Sequence, residues 1–169
     1  MDQSVTINHI AQYGTVVLEG GDGVGKTTLA SLLVTQYGFS AVHSPRTPDH
    51  ENLIDRYRDL LARPGRLVLD RSFISELVYG PLYRGQSRLT WQQTLALASI
   101  VSSRNGVFLH LTAPATTVQS RLTARDGQRP RLATITELAD AYHHVFCDLA
   151  SHAPVLTYDS TTEGSNPNG

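Results

Sequence analysis

The stretch Thr15-Val16-Val17-Leu18-Glu19-Gly20-Gly21-Asp22-Gly23-Val24-Gly25-Lys26-Thr27-Thr28 decides the fold. Its first residues are a short β-branched run of the kind buried in a strand, and Leu29 to Tyr37 carries apolar side chains at helical spacing. Between them, G-x-x-x-x-G-K-[ST] runs from Gly20 to Thr27. Glycines in such a loop let successive backbone N–H groups turn inward around a polyphosphate, and the helix N-terminus adds partial positive charge. The expected contacts of a nucleoside triphosphate are therefore Gly20, Asp22, Gly23, Val24, Gly25 and Thr28, with Lys26 on the β/γ phosphates and the Thr27 hydroxyl on Mg²⁺. Lys26 is expected to project from the loop surface. A glycine-rich segment alone would mean only a tight strand-to-helix turn; Lys-Thr in register between a strand and a helix makes it a motif.

Outward from this unit, strand-like runs alternate with helical ones. Ser40–His43, Arg66–Asp70, Val107–Leu111 and Pro154–Tyr158 read as strands. Asn52–Ala62, a stretch from about Ser72 that breaks near Gly80-Pro81, Thr90–Ser103, Ala115–Ala124 and Ile135–Ala150 read as helices, with Thr90 as an N-cap. The first dozen residues are polar and expected to be loosely held, and residues 160–169 are expected to be a disordered tail. Alternation of this kind implies an α/β fold: a parallel five-stranded sheet with helices on both faces, whose ligands bind at the carboxyl ends of the strands.

Composition sets the outer bounds. At 169 residues with 40% hydrophobic and 17% charged content, the chain is a globular domain of ordinary size. A net charge of −1 gives no global field toward nucleic acid or anionic membrane. No apolar run reaches the length of a membrane span, and Met1 to Gly14 lacks a signal-peptide core, so a cytoplasmic setting is expected. The single cysteine, Cys147, is expected to be a buried small hydrophobe in a helix. The histidines show no metal-ligand spacing.

Two further groups carry chemistry. Leu67-Val68-Leu69-Asp70 is a buried strand ending in a carboxylate, a placement that suits an acid holding Mg²⁺ directly or through water beside a polyphosphate. The other reading of Asp70 is a cap for the helix starting near Ser72. Arg71 is a natural fork for phosphate, or else half of a surface ion pair. Arg121, Arg125, Arg129 and Arg131 recur about a helical turn apart and run into a Gly/Pro-broken segment. Such arginines neutralise charge spreading over transferring phosphoryl oxygens; the bland reading is a solvated basic helix.

Taken together, Leu18 to Thr28, Leu69-Asp70-Arg71-Ser72, Leu111-Thr112-Ala113-Pro114 and Arg121-x-x-x-Arg125 leading to Tyr142 resemble nucleoside and nucleotide kinases of the thymidylate kinase group. The resemblance implies a three-layer P-loop NTPase fold in one kinase domain over residues 1–159, with a lid at about 125–131. It implies ATP and Mg²⁺ as cofactors, Lys26 and the loop amides on the donor phosphates, and Thr27 with Asp70 on the metal. It further implies Arg71 gripping the acceptor, Arg121 stacking on adenine, Arg125 in the lid and Asp22 on the acceptor sugar. Arg46, Tyr79 and Arg129 complete the expected acceptor contacts. Gly23 stands where some members keep a catalytic arginine, and members with glycine there place that arginine in the lid. The long base-recognising insertion of thymidylate kinases has no counterpart, since residues 45–66 allow one helix. The Asp70-to-Gly85 segment looks like phage-type thymidylate-kinase-like proteins and is similar to the acid-Arg-Ser motif of deoxynucleoside kinases.

Three readings follow. The first is an ATP/Mg²⁺-dependent kinase of a small-molecule nucleotide acceptor, a deoxynucleoside monophosphate. The second is a kinase of a hydroxyl, on a deoxynucleoside or on a modified pyrimidine such as hydroxymethyluracil in phage DNA, the one reading with a nucleic-acid partner. The third is a nucleotide-binding module without phosphotransfer. A homodimer is compatible with all three.

Overall fold

The computed structural model describes residues 5–43 and 52–161. A central strand β1 (Thr15–Glu19) is buried along its whole length. Around it lie β2 (Ser40–His43), β3 (Leu67–Asp70), β4 (Gly106–Thr112) and β5 (Val155–Asp159), in the order β2-β3-β1-β4-β5, every pairing parallel. The register sets Leu18 beside Asp70 and Glu19 beside His110, so the acidic ends of β1 and β3 emerge at the same edge.

The strand period of two divides the core. Val17, Leu67, Leu69 and Phe108 face α3 (Leu53–Leu61), α4 (Ile74–Arg84), α5 (Trp91–Ser103) and α7 (Leu132–Ala150). Val16, Leu18, Val68 and Leu109 face α1 (Ile7–Ile10), α2 (Lys26–Tyr37) and α6 (Ala115–Asp126). Phe73 is fully buried between the edges of Tyr57 and Phe108, with centroids at 5.5 and 5.9 Å. The expected N-cap at Thr90 forms a full capping box with Gln93.

Four expectations are corrected here. Helix α4 runs unbroken through Gly80-Pro81. Pro81 lies in the last turn, so its ring removes one helical N–H bond without ending the helix, and a Cβ at Gly80 would meet Gln86 O at 2.7 Å, so the glycine serves the close return of the following turn. Glu76 Oε1 holds that turn by accepting from Arg88 N at 2.7 Å. The segment before β1 is anchored rather than loose: Thr6 caps α1, Ile10 is fully buried, and the Arg66 guanidinium donates to the carbonyls of Ala11, Tyr13 and Tyr37 while lying 4.0 Å over the Phe39 ring. Beyond β5, Ser160 N donates to Thr112 O and Thr161 is held by Asp159, so the ordered chain extends past residue 159; residues 162–169 lie outside the described part. Cys147 is exposed, because α7 buries Tyr142, Phe146 and Leu149 and position 147 turns off that face.

His110 is buried and stacks on Phe146 at 4.5 Å. Burial, aided by the nearby His143, lowers its pKa from 6.5 to about 4. The folded protein thus holds a neutral imidazole where the unfolded chain takes up a proton. Its contribution is present above pH 6.5 and is lost as pH falls from there to about 4. The loss amounts to at most about 3 kcal/mol. Denaturant unfolding from pH 7 to 4.5 should show this decline, and His110→Phe, which keeps the stack, should flatten it.

Candidate active site

Gly23 and Gly25 have φ of 82° and 103°, the left-handed conformations that coil the loop between β1 and α2. Gly25 caps α2 with no side-chain bond, leaving the first helix amides facing the cavity. A Cβ at Gly23 would lie 3.1 Å from Leu122 and 3.2 Å from Val118, so α6 packs directly on the loop and position 23 has no room for an arginine. Val24 is buried and packs its side chain into the core, leaving only its backbone to the loop.

Lys26, expected at the loop surface, is instead only 6% exposed. It is the first residue of α2, and its Nζ donates to Gly20 O at 2.7 Å and Gly21 O at 2.8 Å. Burial lowers its pKa, opposed chiefly by the carboxylate of Glu19. Next along the helix, Thr27 Oγ1 donates to Asp70 Oδ2 at 3.0 Å. Asp70 does not cap α4; Ser72 Oγ accepts from Ile74 N instead. Arg71 follows in a left-handed conformation, φ 73°, and lines the cavity.

From the opposite wall, Arg125 at the end of α6 makes a bidentate bridge to Asp22 at 2.9 and 2.8 Å and also bonds Asp126. The hydrogen bonds from Arg125 hold the Asp22 carboxyl below its ordinary range. Arg121 Nη1 donates to Gly23 O at 3.1 Å and Ser160 Oγ at 3.2 Å. These groups surround one cavity of about 1040 Å³, which also takes in Thr28, His43, the apolar side chains of Ile7, Leu32 and Leu122, and Tyr158.

Several expected residues lie elsewhere. Tyr79 stacks on Tyr83 and meets Tyr142 edge-on, outside the cavity lining. Arg129 bonds Gln119 Oε1 at 3.2 Å, folded back on α6 and away from the cavity. Arg46 lies outside the described residues. One buried carboxylate was missed. Glu19 is fully buried at the end of β1, yet an acid directly after an apolar strand run is the signal that singled out Asp70. Among the described residues, no cluster of three or more His, Cys, Asp or Glu could hold a metal, and no helix is long and apolar enough to cross a membrane. The oxygens of Thr27 and Asp70 fit Mg²⁺, which takes one or two protein oxygens and completes its shell with phosphate and water.

No family model matches the chain, and no curated protein sequence matches it. Solved structures do. The Bacillus subtilis YorR protein, in complex with phosphorylated GDP, is similar at TM-score 0.77 and 20% identity over 88% of this chain and 86% of that one. Deoxyadenosine kinase from M. mycoides with bound dCTP is similar at 0.56 and 12% identity over 86% and 89%. A gluconokinase from Sinorhizobium meliloti is similar at 0.52 and 16% over 88% and 83%. The chain has the three-layer P-loop NTPase fold shared by these proteins.

Proposed function

We propose that this chain is an ATP- and Mg²⁺-dependent kinase that phosphorylates a deoxynucleoside monophosphate. The observation that carries the reading is the convergence of Lys26, Thr27, Asp70, Arg71 and Arg125, drawn from the end of β3 and two helices, on one cavity. The similarity in fold to a deoxyadenosine kinase and to a protein binding a phosphorylated guanine nucleotide supports it. On this reading the loop amides and Lys26 bind the β and γ phosphates, and Arg121 flanks the donor base. Thr27 and Asp70 hold Mg²⁺, which when bound neutralises phosphate charge. Arg71 orients the acceptor phosphate in line with the γ-phosphorus. An acceptor oxygen bonds to that phosphorus, the β–γ bridging bond breaks, and ADP leaves with its electron pair. Arg125 stabilises the charge spreading over the transferring group.

The state of the acids favours a phosphate acceptor over a hydroxyl. A hydroxyl needs a base to take its proton. Glu19 accepts from Ser72, Ser75 and Tyr142, Asp70 from Thr27, and Asp22 is paired with Arg125. A phosphate arrives already ionised and needs no base. The lone unpaired thiol accords with a reducing cytoplasm as the setting.

A dinucleoside pentaphosphate joining adenosine to deoxythymidine tests the reading. It should bind at least about a hundredfold tighter than ATP or dTMP alone, since it fills both halves of the cavity. Binding no tighter than ATP would overturn the paired-site reading. Asp70→Asn should lower turnover on the order of 10²-fold while changing the ATP KM far less, and Arg71→Ala should act mainly on the acceptor KM. Small, equal effects from both would reduce the pair to a structural role.

A further inference from the structure

Glu19 is the most heavily hydrogen-bonded side chain of the site, yet it is absent from the cavity wall. Its Oε1 accepts from Ser72 N at 2.7 Å, Ser72 Oγ at 3.0 Å, Ser75 N at 3.1 Å and Ser75 Oγ at 3.0 Å. Its Oε2 accepts from Ser75 Oγ at 2.9 Å and Tyr142 OH at 3.2 Å. Burial raises the pKa of this carboxyl, and the Lys26 charge beside it opposes the rise. Phe73, which precedes α4, makes no side-chain capping bond. The carboxylate of Glu19, reaching across from β1, accepts the amides of Ser72 and Ser75 on either side of the start of α4, while Ser72 Oγ takes that of Ile74. Bonds to an ionised acceptor are the stronger kind, and a negative charge is favourable at a helix N-terminus.

Arg71 sits immediately before this clamp with φ 73°, a conformation that non-glycine residues keep only when their surroundings over-determine it. Its own N–H is fixed to Leu18 O at 3.1 Å, and the next residue is fixed twice to Glu19. The turn is therefore pinned on both sides to the end of β1, which leaves the Arg71 side chain facing the cavity.

We propose that Glu19 is a positioning residue: by clamping Ser72 and Ser75 it holds Arg71 in its left-handed conformation and so sets how tightly the site grips an acceptor phosphate. The proposal rests on the kinase reading for its consequence, and on the backbone alone for its geometry. Two arms test it. In ligand-free crystals of Glu19→Gln, residue 71 should leave the positive-φ region while β1 and the loop through Lys26 stay in place. Ser75→Ala, which keeps the carboxylate charge beside Lys26, should displace Arg71 less but in the same way, and it serves if Glu19→Gln does not fold. With dTMP as acceptor probe, Ser75→Ala should raise the acceptor KM several-fold and Glu19→Gln on the order of tenfold, and Ser75→Ala should leave the ATP KM within about twofold. In an Arg71→Ala background both acceptor effects should vanish, which a merely structural role would not produce. Retention of φ near 73° at Arg71 in both variants overturns the clamp. So does an acceptor effect equal in the two backgrounds. The crystallographic arm needs no acceptor, so its failure strikes the clamp and leaves the kinase reading standing; absence of phosphotransfer by the unsubstituted protein to every nucleoside monophosphate, with Arg71 displaced as expected in the variants, does the reverse.

Discussion

Lys26→Ala is expected to lower turnover by two to three orders of magnitude while leaving the fold in place. Removing one preorganised donor from a charge that develops in the transition state costs about 3–4 kcal/mol. The fold survives for a reason that the burial of Lys26 supplies. Its pKa is lowered by desolvation, so the folded state binds that proton less readily than the unfolded chain does. At neutral pH the ammonium is thus held against its preference, and stability from this group rises only as pH climbs through the lowered pKa toward 10.5. Deleting the charge removes that cost and also removes the bonds to Gly20 O and Gly21 O, two effects of opposite sign. The thermal midpoint should move by no more than a few degrees. Steady-state rates with ATP·Mg²⁺ and acceptor, read beside a thermal melt, check both halves. Near wild-type turnover would sink the assignment of Lys26 to the phosphates.

Arg125→Ala is the second large effect expected, a fall in turnover on the order of 10² or more with little change in stability. The side chain is about half exposed and its bridge to Asp22 lies at the surface, where an ion pair adds little to folding. Its position is what matters. Gly23 leaves no room for an arginine on the loop, and Arg125 reaches the same place from the end of α6. Beyond it, Gly127 at φ 73° ends the helix, and the following turn is tethered to α6 by Gln119, which donates to Pro130 O at 2.8 Å. We propose that residues 125–131 act as a lid that closes over the donor phosphates. Hydrogen exchange should show protection across 125–131 rising on addition of ATP·Mg²⁺. Protection already high in the free protein and unchanged by nucleotide would make these arginines structural.

The fold was legible because its signals are local. The β-branched run, the Gly-x-x-x-x-Gly-Lys-Thr spacing and the alternation of strand with helix each act within a few residues, and the parallel sheet follows from them. That Lys26, Thr27, Asp70, Arg71, Arg121 and Arg125 gather on one cavity was legible for the same reason, since each sits at a strand end or on one helix face. What sequence reading missed depends on distant contacts. Pro81 stays helical because Glu76 and the 85–88 turn fold back on α4, and the chain before β1 is anchored by Arg66, fifty or so residues away. Arg129 bonds Gln119 on α6, a contact across a turn that the spacing of the arginines does not reveal. Tyr79 lies against Tyr83 and Tyr142, a packing that helical spacing alone does not reveal. Burial of Glu19 and Lys26 side by side at the root of the loop is likewise a tertiary fact, set by strands and helices closing over both.

Transfer of label from γ-labelled ATP separates a nucleotide kinase from the other readings. The protein would be incubated with Mg²⁺ and, separately, with deoxynucleoside monophosphates, deoxynucleosides and hydroxymethyluracil-containing DNA, with Lys26→Ala as the control. The account predicts that label appears in a deoxynucleoside diphosphate and that the control loses it. Label found only on a nucleoside or DNA hydroxyl, or released only as inorganic phosphate, would contradict it.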